Sequence, residues 1–130
     1  MSHGWGSNVL VEIERALLGV RPTGPGFATF AVTPPTGGLS RAAGTVPTPR
    51  GTVSVSWIRN PDGGPFQLDV EVPPNSVAEV TVPAGRAQDV TEGGRPVDGA
   101  AGVRRIGVAD GAVRIEIGSG TYRFESRSPS

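Results

Sequence analysis

The sequence predicts an all-β protein, an antiparallel β-sandwich preceded by one N-terminal α-helix. Three observations predict it. The hydrophobic period changes once along the chain, from helical spacing up to Val20 to strict alternation after Gly26. The alternating runs are short and separated by Gly/Pro turns, the spacing of a two-sheet protein. Finally, 20 glycines and 13 prolines in 130 residues supply many turns, while a net charge of +0 and frequent valine argue for a packed domain rather than a disordered one.

The helix is read first. Val9, Ile13, Ala16, Leu17 and Val20 follow helical spacing, and Leu10 widens the stripe. Glu12 and Arg15 sit on the other side and can pair weakly. Ser7 or Asn8 suits the N-cap, Gly19 suits the position just past the end, and Pro22 blocks continuation. The spacing predicts a helix over residues 8–18. So short a helix needs a surface to pack on. Its wide stripe fits either a second partner surface, such as helices outside this chain, or a simple cap on one end of the sandwich. An unsatisfied stripe predicts self-association through residues 5–20.

The strands follow in order. Val53, Val55 and Trp57 alternate with Ser54 and Ser56. Phe66, Leu68, Val70 and Val72 alternate with Gln67, Asp69 and Glu71. Ala78, Val80 and Val82 alternate with Glu79 and Thr81, and Val113, Ile115 and Ile117 with Arg114 and Glu116. Tyr122 and Phe124 alternate with Thr121, Arg123 and Glu125. Each run reads as a strand with one face buried and one solvated. Weaker patterns place strands at Phe27–Thr33, Ala42–Val46, Ala87–Thr91 and Val103–Val108. Asp110-Gly111 reads as a two-residue hairpin turn, and Asn60-Pro61-Asp62-Gly63-Gly64 as a longer one. The polar end Ser126–Ser130 reads as frayed.

Composition excludes several functions. Cys is absent, which removes disulfides, thiolate metal sites and Cys nucleophiles. All 12 basic residues are Arg, so no Schiff-base lysine exists. The single His, His3, has no G-x-S-x-G elbow to serve. No P-loop, dinucleotide fingerprint or EF-hand loop is present, and no cofactor is expected. A net charge of zero argues against nucleic acid as a partner. No apolar run reaches the roughly 18 residues of a membrane span. Met1-Ser2-His3-Gly4-Trp5 lacks the basic start and apolar stretch of a signal peptide.

Few residues suggest chemistry. Asp69 and Glu71 share one strand face about 6.6 Å apart, a spacing comparable to a glycosidase carboxylate pair. Gln67 continues their row, which reads as an ordinary solvated face. Trp57 continues the inward Val53/Val55 row and reads as core. Ser2-His3-Gly4-Trp5-Gly6 is a Gly-flanked turn before a helix start, where His3 could hydrogen-bond a sugar hydroxyl and Trp5 could stack on a sugar ring. On the chemistry alone, a frayed terminus or a remnant of a histidine tag is the favoured reading.

Several ordered motifs resemble one family. Ser2-His3-Gly4-Trp5-Gly6-Ser7, Arg15-Ala16-Leu17-Leu18-Gly19-Val20-Arg21-Pro22-Thr23 and Pro25-Gly26-Phe27 resemble the junction in bacterial α-L-rhamnosidases. There the last helix of an (α/α)6 catalytic barrel runs into a C-terminal β-sandwich. Gly44-Thr45-Val46-Pro47-Thr48-Pro49-Arg50-Gly51, the strand ending at Trp57, and Val70-Glu71-Val72-Pro73-Pro74 are similar in the same order, so the likeness covers about residues 2–85. The chain departs from the family pattern after Ser7, where Asn8-Val9-Leu10 replaces a Gly-Pro-Thr-like run.

The resemblance implies that residues 1–26 are the end of the barrel and linker, 27–126 the sandwich and 127–130 a tail. It implies an inverting glycosidase whose acid and base carboxylates lie upstream, so that this segment alone is a non-catalytic accessory domain. It implies His3 and Trp5 as the substrate-binding residues, with His3 contacting rhamnose. The implied partners are the upstream catalytic domain and, through it, rhamnose-containing glycosides. The compartment stays open between secreted and cytoplasmic, the Met1 start directly before the motif suggests a fragment, and the alternative reading is a free-standing carbohydrate-binding or protein-interaction module.

Overall fold

The computed structural model describes residues 17–34, 41–59 and 65–127, and it is nearly all β. Eleven strands follow one another: β1 (Val20–Pro22), β2 (Thr29–Val32), β3 (Arg41–Thr48), β4 (Gly51–Ile58), β5 (Pro65–Val72), β6 (Val77–Pro83), β7 (Val90–Glu92), β8 (Arg95–Pro96), β9 (Val103–Ala109), β10 (Ala112–Ile117) and β11 (Gly120–Arg127). They form two sheets. One has the order β1-β2-β6-β10-β9, the other β3-β4-β5-β11-β7-β8. Every pairing is antiparallel except β2 with β6, which run parallel. The expected antiparallel arrangement holds for every other pairing, and this one pair departs from it. The chain leaves β2, builds β3 to β5 in the other sheet, and returns with β6 in the direction of β2, which no hairpin could achieve.

The alternation in sequence becomes the two faces of each sheet. Val53, Val55 and Trp57 of β4, Phe66, Leu68, Val70 and Val72 of β5, and Tyr122 and Phe124 of β11 point inward from the larger sheet. Val80 and Val82 of β6 and Val113, Ile115 and Ile117 of β10 meet them from the smaller one. All lie in one continuous core. Burial of this apolar area is the main force holding the sheets together. The buried hydroxyls are satisfied: Ser76 Oγ donates to Phe27 O (3.1 Å) and Ser126 Oγ to Pro83 O (2.7 Å).

Some predicted elements shift. Phe27 is not in a strand: Pro25–Phe27 is a short 3₁₀ turn, and Gly26 and Phe27 both have φ of 60°. A left-handed aromatic residue is strained. Burial of its ring and the Ser76 bond to its carbonyl hold it there. Ala87–Asp89 is likewise a turn, and β7 begins only at Val90. β1 and β8 have no counterpart in the predicted strands. The polar end is not frayed where it is described, because Ser126 pairs with Phe66 and with Val90. Asp110-Gly111 makes the expected hairpin, with φ of 54° and 74° as a type I′ turn requires. Of the predicted N-terminal helix, Leu17 and Leu18 have helical backbone. Its remainder, like the Asn60–Gly64 turn, lies outside the described residues, so the helix is not shown.

Tyr122 locks one corner. Its hydroxyl donates to Gly118 O (2.9 Å) and lies against Gly102, where a side chain would collide with it. Burial, aided by the nearby Glu92 and opposed by Arg104, raises its pKa above the ordinary value near 10. The neutral phenol is therefore favoured in the folded state. Its contribution to stability is complete below pH 10 and is lost as pH rises through the higher folded value. Tyr122→Phe should cost about 1 kcal/mol at neutral pH from the lost hydrogen bond. It should also give a shallower loss of stability between pH 10 and 12 than the wild type, as read from urea unfolding across that range.

β11 joins β5 to β7 inside the larger sheet, and β10 lies between β6 and β9 in the smaller one. A chain ending at Pro96 lacks both central strands. It should show no cooperative urea unfolding transition by circular dichroism.

Candidate functional site

The residues that could do chemistry on the solvated face are largely occupied with each other. On the outer face of the larger sheet, Asp69 stands opposite Ser56 of β4 and Arg123 of β11. Arg123 Nε donates to Asp69 Oδ1 at 2.8 Å, and Gln67 Nε2 to Asp69 Oδ2 at 3.2 Å. The carboxylate in turn raises the Arg123 pKa further above its already high value, first through the hydrogen bond and then through its charge. Asp69 is thus a paired surface carboxylate, and such exposed pairs contribute little stability. Glu71 is exposed beside Ser54 and Thr121. These residues, with Thr45 and Ala43, line an open depression of about 300 Å³. The arrangement matches the solvated row read from the sequence and does not bring together an acid and a base. Among the described residues, no three His, Cys, Asp or Glu side chains could hold a metal ion.

Trp57 is fully buried, so it offers no surface to a sugar ring. Its indole Nε1 instead donates to Leu17 O at 3.1 Å. This bond joins the entering chain to the larger sheet. Next to it, Leu18 sits in the core, against Gly44 of β3, where a side chain would crowd it. Gly19 then turns the chain with φ of +78°, and its carbonyl accepts from Thr33 N at 2.8 Å. A β-carbon at Gly19 would overlap the Thr33 carbonyl. Arg59 lies over the rings of both Trp57 and Phe66, 5.5 Å from each centroid. A cation placed over aromatic faces in this way is attracted by the ring quadrupoles. Within five residues the chain passes from helical backbone to a strand of the smaller sheet, and it is tied to both sheets on the way. Among the described residues this junction is the constellation with the most interlocking contacts. His3 and Trp5 lie outside the described residues.

Residues 19–96, more than half of the chain, match the sequence family described as the bacterial alpha-L-rhamnosidase C-terminal domain. The chain belongs to that family. This C-terminal domain is 44% identical over 69 residues to an α-L-rhamnosidase of Alteromonas sp. (strain LOR), a match covering 52% of this chain and 7% of that protein. Its fold is similar to the Streptomyces avermitilis α-L-rhamnosidase complexed with L-rhamnose, with a TM-score of 0.74 and 28% identity. That match covers 89% of this chain and 10% of the other. The Dictyoglumus thermophilum α-L-rhamnosidase is similar at a TM-score of 0.72 and 28% identity, covering 90% of this chain and 13% of that one. The rhamnosidase domain thus spans about a tenth of the length of the relatives it matches.

The sequence reading placed Trp57 in the core but missed its partner. A buried indole N–H demands an acceptor, and this is the signal that could have prompted a search. Leu17 supplies it through its backbone, which leaves no trace in a side-chain pattern. Two substitutions test the junction of the rhamnosidase domain. Gly19→Ala forces a strained φ and a steric clash, and should cost about 2 kcal/mol or more. Trp57→Phe leaves the Leu17 carbonyl without its donor, costing about 1–3 kcal/mol before any packing loss. Both are read as a lowered midpoint of urea unfolding with an unchanged slope.

Proposed function

We propose that the chain is the non-catalytic C-terminal β-sandwich domain of an α-L-rhamnosidase, and that its role is structural. In this reading, residues 1–26 carry the last barrel helix and linker, 27–126 the sandwich and 127–130 a tail. The parent enzyme hydrolyses terminal α-L-rhamnose with inversion, using carboxylates upstream of this segment. The observation that carries the proposal is the family match together with its small share of each relative: the chain covers 7% and 8% of the two curated enzymes. Inversion needs two carboxyl groups about 6.5–9.5 Å apart across a substrate. The one candidate pair, Asp69 and Glu71, lies on a shallow sheet face with Asp69 bound to Arg123. Within the same reading His3 reaches the rhamnose bound by the parent and Trp5 stands beside it, which rests on the His-Gly-Trp resemblance.

A free-standing sugar-binding module is the weaker reading, because the aromatic side chains of the described residues are buried. Phe27, Phe30, Trp57, Phe66, Tyr122 and Phe124 all belong to the core.

The test has two parts. An immunoblot of the source cells and their medium should detect the chain in a band far above 13.3 kDa. The purified 130-residue chain should not turn over an aryl α-L-rhamnoside, whereas the large species should. A native band at 13.3 kDa, or turnover by the chain alone, would overturn the proposal.

A further inference from the structure

Two Asp-Gly pairs, Asp98-Gly99 and Asp110-Gly111, lie in described turns. Both are exposed, and both are followed by Ala. An Asp-Gly pair can close on itself, because glycine has no side chain to hinder its nitrogen. The product is a five-membered succinimide, made of Cα, Cβ, Cγ and the carbonyl carbon of Asp with the glycine nitrogen. Closing that ring brings Cβ and the glycine nitrogen to the same side of the Asp Cα–C bond. For an L-residue this requires ψ of about −120°, the value at the first central residue of a type II′ turn. With near-identical neighbours, the two pairs differ through their turns.

Asp98 and Gly99 are the central residues of a turn closed by Ala100 N, which donates to Val97 O at 3.1 Å. Gly99 has φ of 85° and Asp98 keeps a negative φ, the type II pattern. Rotating the central peptide gives type I, so ψ of Asp98 moves between about +120° and about −30° and misses the ring geometry. Asp110 and Gly111 instead have φ of 54° and 74°. Rotating the peptide between them converts type I′ to type II′ and carries ψ of Asp110 from about +30° to about −120°. Both turns suit a two-residue hairpin, so β9 and β10 keep their pairing. Among the described residues no backbone hydrogen bond holds that peptide, and the space beside Gly111 is open. The Gly111 carbonyl, which accepts from Ala84 N at 3.1 Å, belongs to the next peptide and stays in place.

We propose that Asp110 is a site of spontaneous isoaspartate formation in the folded protein. The Gly111 nitrogen, losing its proton, bonds to Asp110 Cγ while the carboxyl C–OH bond breaks and water leaves. Water then opens the ring. Cleavage at Cγ restores aspartate. Cleavage at the main-chain carbonyl carbon leaves the backbone running through Cβ and Cγ. Water is released and taken up again, and no other reactant is needed. The isoaspartate adds a carbon to the turn, which draws Gly111 O away from Ala84 N and loosens the edge strand β9.

The natural polypeptide that contains this chain is aged in warm, mildly acidic buffer made with heavy-oxygen water, with its fold checked by circular dichroism. Trypsin then places the two pairs in separate peptides, Ala87–Arg104 and Ile106–Arg114. The Ile106–Arg114 peptide should yield a chromatographically shifted form carrying one heavy oxygen. It should do so about fivefold or more faster than the Asp98 peptide, whose turn must first break its Val97–Ala100 bond. In urea the two rates should converge. Asp110→Asn suits the same type I′ turn, and it should reach the same isoaspartate faster, because ammonia leaves in place of water. Equal rates in the folded protein would overturn the proposal. A difference that persists in urea would overturn it too, by assigning the preference to sequence neighbours instead of the turn. So would a shifted form without heavy oxygen, or an Asp110→Asn variant that keeps its asparagine.

Discussion

β11 lies in the middle of the six-stranded sheet, between β5 and β7, although it is the last strand in the chain. The rest of the structure depends on that placement. Phe124 and Tyr122 fill the core from this strand, Ser126 ties it to the end of β6, and Arg123 reaches Asp69 across the outer face. Without β11 the inward row of β5 would have a neighbour on one side only, and the β7–β8 pair would have no strand joining it to the rest of the sheet. The sequence family match ends at Pro96, before β9, β10 and β11, while the fold match covers 89% of the chain. The segment that matches by sequence family is therefore smaller than the segment whose fold is shared. A sheet completed by its final strand is built from non-local pairings, which place a large loop-closure cost before the core can form.

The strands most plainly written in the sequence are the ones whose inward rows are long, while β2, β3 and β9 follow from weaker patterns. β4, β5, β6, β10 and β11 each place two or more large apolar residues on one face, and alternation then follows from the pleat alone. β1 spans Val20, Arg21 and Pro22 and presents one buried residue, so there is no period to detect. Phe27 looked like a strand residue because aromatics favour strands, but the Pro25-Gly26 turn and the Ser76 bond overrode that preference. Strand order could not be read at all. Nothing in the sequence pairs β11 with both β5 and β7, or sets β2 parallel to β6, because these choices depend on what each sheet buries and not on local pattern.

The same asymmetry governs the site. Asp69 was legible as part of a solvated row, since Gln67 and Glu71 continue it, but its Arg123 partner follows only from the placement of β11. Trp57 was legible as core from Val53 and Val55. The contact that gives Trp57 its role is made to a backbone carbonyl, which any residue at position 17 would supply. Physical pattern marked Gly19 and Pro22 as the end of the entering helix, but it gave no sign of the contacts that tie this segment to both sheets.

The junction solves two problems with one bond. The last carbonyls of a helical turn have no partner within the turn, and a buried indole N–H needs an acceptor. Leu17 O and Trp57 Nε1 meet at 3.1 Å and satisfy each other. Gly19 then adopts the left-handed conformation that commonly ends helices, and its carbonyl is taken by Thr33 N at the end of β2. The first bond anchors the entering chain to the larger sheet and the second to the smaller one. A segment held by both layers within three residues cannot swivel without breaking a buried contact. A held entry of this kind differs from a Gly/Ser or polar linker, which leaves the chain free to search.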